Sequence, residues 1–411
     1  MTAAGPGDGP PRWASWAVLA VGLPALVVAV LADPAGAGEA ANQDWTPFVL
    51  VTGLLLLGLV VGDDGLFDAG GRLMARLGRG GWSLFAAAAV LVAAVTAVLN
   101  LDTAVTFLTP VLVVAARRRQ VDELPFLYLA VFLANGASLL LPGSNLTNLI
   151  VLGHRHLSGG AFAATMFPAF LAASVAVPVV LAAIFWRRLQ RTRSPATRSV
   201  AGTGPSGGPG AGPPGGPAGS TAVLATARPR LGLGLAGAVV AVGAAVALGG
   251  TALAVVVAAA GVVAAGCRIA QRRLSVGAVG RTVDVPVLVG LFGLAVALGT
   301  LGRAWSGPQW VLAHAASWEQ AAVGAASSVL VNNLPAASLL AARRPPDPQA
   351  LLVGLNLGPN LAVTGSLSAV LWLQAARPLG ARTSAGRYTA LGLVVVPVSM
   401  AAALGALALF G

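Results

Sequence analysis

The sequence predicts an all-α polytopic membrane protein. It is expected to contain two inverted repeats, each with a re-entrant hairpin and a discontinuous transmembrane helix, and one connecting helix. Three observations carry that prediction. Of 411 residues, 57% are hydrophobic and only 9% charged, whereas soluble domains carry about 25% charged residues. Apolar stretches near the ~20 residues needed to cross hydrocarbon recur along the chain. Finally, each half holds two polar strings inside apolar segments. These are Asn100-Leu101-Asp102-Thr103 and 142–148 in the first half, and Asn332-Asn333-Leu334-Pro335 and 358–366 in the second. Unwound backbone and amides at membrane depth are costly unless they line a cavity or are buried in protein. Two matched copies of that cost point to a solute site.

The elements follow in order. Segment 13–32 is followed by Asp33, Glu39 and Asp44 without Lys or Arg, so that loop is expected outside. Its length favours a retained helix over a signal peptide. Segment 46–62 returns to Arg72, Arg76 and Arg79, inside by the positive-inside rule, and 66–77 reads as a helix lying along the membrane surface. Segments 82–99 and 102–116 flank the first string, with Arg79 before and Arg117-Arg118-Arg119 after. Both ends then lie on one side, which a re-entrant hairpin over 82–116 satisfies. Segment 124–152 goes outward, broken at 142–148, and 162–186 returns.

Residues 187–230 are rich in Gly, Pro, Ser, Thr and Arg, and read as a disordered cytoplasmic linker. The first repeat therefore spans 1–186. The second part spans 231–411 and starts with the connecting helix 231–249. Spans 251–266 and 283–301, a hairpin over 318–342, a span 350–374 broken at 358–360 and a last span 389–410 follow. The order of two spans, hairpin, broken span and span occurs twice, and the odd connecting helix turns the second copy over. Trp305 and Trp310 suit the membrane interface.

Charge narrows the function. The net charge of +12 comes from 25 Lys+Arg against 13 Asp+Glu, and its arginines sit in short loops, which excludes nucleic acid as the expected partner. Cys267 is the single cysteine, so neither an internal disulfide nor a thiolate metal cage is expected. His154, Arg155 and His156 read as interfacial residues. No P-loop signature and no nucleophile–base pair occur, so neither an ATP-driven pump nor an enzyme is expected. No cofactor and no metal site are expected.

The candidate binding residues come from the four strings. Asp102-Thr103 and Asn333-Leu334-Pro335 open new helices, whose first-turn N–H groups and partial positive charge face whatever lies between the tips. Candidate substrate ligands are Asn100, Thr103, Ser144, Asn145, Asn148, Asn332, Asn333, Asn360, Thr364 and Ser366, with Thr147 beside them. All are neutral groups that donate and accept. Asp102 is the one carboxylate placed deep in the membrane. It suits proton coupling, with helix capping as the plainer reading. Gly143, Gly358, Gly365, Pro142 and Pro359 read as breakers of the spans. Asn135 and Ser138 read as helix-packing groups, and Tyr128 and Phe126 as core.

These strings also resemble a known family. Asn100-Leu101-Asp102-Thr103 with Leu108-Thr109-Pro110, Ser144-Asn145-Leu146-Thr147-Asn148, Asn332-Asn333-Leu334-Pro335, and Leu357-Gly358-Pro359-Asn360 with Thr364-Gly365-Ser366-Leu367 resemble the arsenite/antimonite efflux permeases. Those belong to the ion-transporter superfamily, which includes divalent anion/sodium symporters. Leu101 departs from the family pattern by separating Asn100 from Asp102.

The resemblance implies a scaffold and a transport domain per protomer, an elevator-like shift and frequent dimers. It also implies export of arsenite or antimonite against inward protons. The expected partners are that small inorganic solute, protons and the bilayer of the cell membrane. A homodimer and a separate ATPase subunit stay open. The alternative is a sodium- or proton-coupled carrier of carboxylates or other oxyanions.

Overall fold

The computed structural model describes residues 12–77, 80–153, 157–190, 232–248 and 250–410. The expectations for His154, Arg155, His156 and Arg79, and for the linker beyond residue 190, lie outside the described residues. The described chain is helical throughout. Seven of its helices are long and apolar enough to cross a membrane.

The first half runs α1 (Arg12–Ala32), α2 (Pro34–Asp63), α3 (Leu66–Leu77), α4 (Gly81–Val98), α5 (Leu101–Arg118), α6 (Leu124–Ala137), α7 (Leu146–Leu152), α8 (Gly159–Ile184) and α9 (Trp186–Gln190). The second runs α10 (Leu233–Ala247), α11 (Gly250–Ala270), α12 (Val276–Val283), α13 (Val285–Ala304), α14 (Gly307–His314), α15 (Ser317–Val331), α16 (Asn333–Leu340), α17 (Pro348–Leu357), α18 (Leu367–Ala376) and α19 (Ala385–Phe410). The breaks contain 3-10 turns at Pro142–Ser144, Gly358–Leu361 and Val363–Gly365.

Packing between the halves is reciprocal. α1 lies on α13 and, in return, α11 lies on α2, while α2 and α13 pack on each other. Within each half the first hairpin arm packs on the first part of the broken helix, α4 on α6 and α15 on α17. Across the halves, the second arm packs on the partner's second part, α5 on α18 and α16 on α7, and α8 pairs with α19. This is the two-repeat architecture that the polar strings predict.

The reciprocal seams close on glycine. A Cβ on Gly22 of α1 would lie 1.9 Å from the Gly290 carbonyl oxygen of α13, and one on Gly53 of α2 would lie 2.6 Å from the Ala258 Cα of α11. Small residues that let backbones touch are how membrane helices gain packing energy where lipid supplies little hydrophobic drive.

Several expectations need correction. The loop expected at 33–45 is helix, because Asp33 accepts from the Gly36 amide at 2.9 Å and Pro34 occupies the first turn, where its missing N–H costs nothing. Asp44 therefore sits inside α2 and is only 1% exposed, so Asp102 is not the only deeply buried carboxylate. Arg268 lies in the last turn of α11, at the helix end where the sequence put it. It is buried and ion-paired to Asp64, with Asp63 at 3.5 Å. The first break opens at Ser138, earlier than residue 142, and residues 187–190 are helical where the linker was expected to begin. The short helices α12 and α14 were not anticipated.

Candidate functional site

Both hairpin tips are built the same way, with an asparagine as helix N-cap. Asn100 Oδ1 accepts from the Thr103 amide at 2.7 Å, and Asn332 Oδ1 accepts from the Leu334 amide at 3.3 Å. Asn332 takes φ 74° and ψ 149°, outside the left-handed helical region and costly for a residue with a Cβ. Each tip is tied to the break of its own repeat. Ser144 Oγ donates to the Ala97 carbonyl at 3.0 Å. Asn332 Nδ2 donates to the Thr364 carbonyl at 3.3 Å, and Thr364 Oγ1 reaches the Val329 carbonyl at 3.5 Å.

The two breaks are joined by buried amides. Asn356, on α17, accepts at one oxygen from Asn145 Nδ2, from Ser138 Oγ at 3.0 Å and from Thr147 Oγ1 at 3.2 Å. Its own Nδ2 donates to Asn148 Oδ1 at 2.9 Å. Asn148 Nδ2 in turn donates to the carbonyls of Ser138 and Leu141. The reverse link runs from α6, where Asn135 Nδ2 donates to Asn360 Oδ1 at 2.8 Å. Asn360 Nδ2 donates to the Phe132 carbonyl at 3.1 Å. Each broken helix thus sends one amide from its first part into the break of the other.

Aromatic side chains seal this body. Trp372 Nε1 donates to the Leu127 carbonyl at 2.8 Å, and the Tyr388 hydroxyl donates to the Pro359 carbonyl at 3.3 Å. Their rings pack at tilted angles against each other and against Tyr128 and Phe132. A buried polar network of this kind rigidifies when every member has a partner.

The sequence-predicted residues therefore divide. Asn145, Asn148 and Asn360 spend their side chains on other protein groups, and Ser366 is paired with Ser368 Oγ at 2.7 Å. Thr364 is exposed and Asn332 half-buried. The unspent groups cluster at the hairpin tips. Asn100 Nδ2 and Thr103 Oγ1 are buried with no hydrogen-bond partner. Neither the Asn333 amide nor the Asp102 carboxylate bonds a described residue, and they are 3% and 6% exposed. Thr103 packs against α2, where a Cβ on Gly58 would lie 2.4 Å from its Cγ2.

The ligating surface on offer is thus amides, a hydroxyl and a carboxylate. The polar breaks and tips contain no Lys or Arg. Among the described residues no group of three His, Cys, Asp or Glu is placed to hold a metal ion.

Sequence reasoning overlooked Asn356 altogether, and read Asn135 and Ser138 only as packing groups. The available signal was an amide four residues before Asn360 in the otherwise apolar run 351–357, matched by Asn135 before the first break.

The chain is similar to several known proteins. The citrate transporter family matches over residues 13–353. The Arsenical pump membrane protein of Escherichia coli is 30% identical over 195 residues, covering 43% of this chain and 45% of that protein. The Silicon efflux transporter LSI3 of Oryza sativa subsp. japonica is 30% identical over 143 residues, covering 34% of this chain and 30% of that one. The chain thus matches less than half the length of each of these relatives. The crystal structure of the Alcanivorax borkumensis YdaH transporter, described as having an unusual topology, aligns with a TM-score of 0.46 at 17% identity, covering 88% of this chain and 83% of that one.

Proposed function

This chain belongs to the citrate transporter family, and on that premise we propose that it is a proton-coupled secondary transporter exporting an uncharged metalloid hydroxide such as arsenite or antimonite. It is a multi-pass protein of the cell membrane, and a carrier of small solutes by family. The finer reading rests on one observation: the Asp102 carboxylate lies at the start of α5 with no cationic or hydrogen-bonding partner among the described residues, beside neutral amides and hydroxyls.

The chemistry follows from that pairing. Arsenite and antimonite at neutral pH are neutral trihydroxides, so amides and hydroxyls that both donate and accept suit them, and no fixed cation is needed. A carboxylate buried without a counter-charge has to be balanced by a proton or a bound cation. Exchange of solute against a proton at one site meets that need in both access states. The hairpins 82–116 and 318–342 are proposed to be re-entrant. Together with the broken helices they form the moving body, while α1, α2, α11 and α13 form the scaffold. The two halves, on either side of the Gly- and Pro-rich stretch that follows Gln190, act as one carrier without enzymatic chemistry.

The test is flux into vesicles carrying the purified chain under an imposed pH gradient, with arsenite, antimonite, sodium and citrate as separate arms. Arsenite or antimonite uptake driven by the gradient is expected, and Asp102→Asn is expected to lower it at least about tenfold and to flatten its pH dependence. Unchanged gradient-driven flux in that variant would sink the coupling role.

A second reading is favoured by the family description and by the two helix N-termini at the tips, which suit an anion. On that reading the chain carries citrate or another carboxylate with sodium or protons. Sodium-dependent currents inhibited by citrate, with no arsenite flux, would select it.

A further inference from the structure

Asp44, on α2, is a second buried carboxylate besides Asp102. It is 1% exposed, and neither carboxylate oxygen has a partner of ordinary hydrogen-bond geometry. Three elements meet around it. From α16, the second arm of the second hairpin, the Ser338 hydroxyl is the donor within reach, and its own bond to the Leu334 carbonyl is a weak 3.4 Å. From α13, Arg303 is the cation that faces it. A Cβ on Gly299 would touch Ala40 of α2 at 3.0 Å, Arg303 Nη1 at 3.3 Å and Ser338 Cβ at 3.7 Å, which places all three helices at one point.

Arg303 is not free to neutralise Asp44 alone. It donates to the Gly299 carbonyl at 3.0 Å and to Gln43 Oε1 at 2.5 Å, and pairs with Glu39 at 3.3 Å. Gln43 holds the carbonyls of Ile150, on α7, and Ala341, at the end of α16, at 3.0 and 3.2 Å. Gln43 of α2 thus ties the end of one hairpin arm to one half-helix, with Glu39 and Asp44 flanking it on the same helix. The charged groups of this seam are Glu39, Asp44 and Arg303. Glu39 is open to solvent and Arg343 reaches the Arg303 carbonyl at 2.6 Å from the rim, so inside the seam Arg303 is the cation facing Asp44, and a proton on Asp44 removes its charge there.

We propose that Asp44 is a second proton-binding site of this chain, at the seam of α2, α13 and α16, and that its protonation releases the second hairpin arm from the scaffold. When Asp44 is ionised, withdrawing α16 takes away Ser338 and leaves a buried carboxylate short of a donor, which is strongly unfavourable. When it carries a proton, the same withdrawal strips only a neutral group. The proton goes onto one Asp44 oxygen and returns to water when the arm docks again. This rests on the reading that α16 moves against α2 during transport, though its test needs no transported solute.

The experiment is hydrogen–deuterium exchange on the full chain in lipid nanodiscs across pH 5 to 9, corrected for intrinsic exchange. In the parent protein, peptides covering 333–342 are expected to lose protection at least about tenfold toward low pH, with 101–118 as internal reference. Asp44→Asn is expected to hold 333–342 at the low-pH level throughout. Asp102→Asn should leave the transition intact, which separates this site from the proposed coupling residue. Ser338→Ala keeps the carboxylate and should displace the midpoint by about one pH unit. A transition that persists unchanged in both Asp44→Asn and Ser338→Ala, or no transition in the parent, overturns the proposal.

Discussion

One oxygen of Asn356 accepts three donors, of which only Ser138 Oγ has another acceptor, the Asn135 carbonyl at 2.8 Å. Replacing it by leucine leaves Asn145, Thr147 and Asn148 with unmet polar groups in a dry site, at about 1–3 kcal/mol for each. Asn356→Leu is therefore expected to lower the thermal midpoint of the detergent-solubilised protein far more than Thr364→Ala, whose side chain is exposed. A fluorescence melt of the two variants side by side checks this. At the same scale lies the limit of what could be read in advance. Asn145, Asn148 and Asn360 were visible as amides interrupting apolar runs, because their cost in lipid is local and absolute. Their partners were not. Asn145 and Asn356 are 211 residues apart, and only the packing of two broken helices brings them together. Asp44 was hidden for the opposite reason: three acids without a compensating arginine read as an outer loop, whereas Asp33 and Pro34 start a helix that carries Asp44 into the interior.

Helices were more legible than partners. Arms, breaks and hairpin tips follow from apolar length and from Asn, Gly and Pro at the interruptions, so α4, α5, α15 and α16 lie within two residues of their expected bounds. The short helices α12 and α14 escaped notice because eight-residue helices between spans carry too few turns for a distinct periodicity. The glycine seams give an element-scale prediction. Gly53→Leu has to drive a side chain into the backbone of α11, and Gly290→Leu does the same to α1. Each is expected to abolish the monodisperse peak in size-exclusion chromatography, while Gly243→Leu, which has open space around its Cβ, should leave it in place.

At the scale of the whole molecule, the ends of α2 and α11 are pinned together by a buried ionic knot. Arg268 of α11 holds Asp64, and Asp64 also accepts from the Gly234 amide of α10 at 2.8 Å. Removing the arginine alone leaves a carboxylate buried without its cation. Arg268→Ala is therefore expected to cost roughly 3–5 kcal/mol. The double variant Arg268→Ala/Asp64→Ala should recover a large part of that loss, measured as half-life at elevated temperature in detergent. The reciprocal amides from Asn135 to Asn360 and from Asn356 to Asn145 have a consequence of a different kind. Each half supplies an amide that completes the other's interruption, so a graft that swaps one half for that of a distant relative would orphan amides on both sides of the join. Recombination between homologues is expected to be tolerated only where both members of each amide couple travel together.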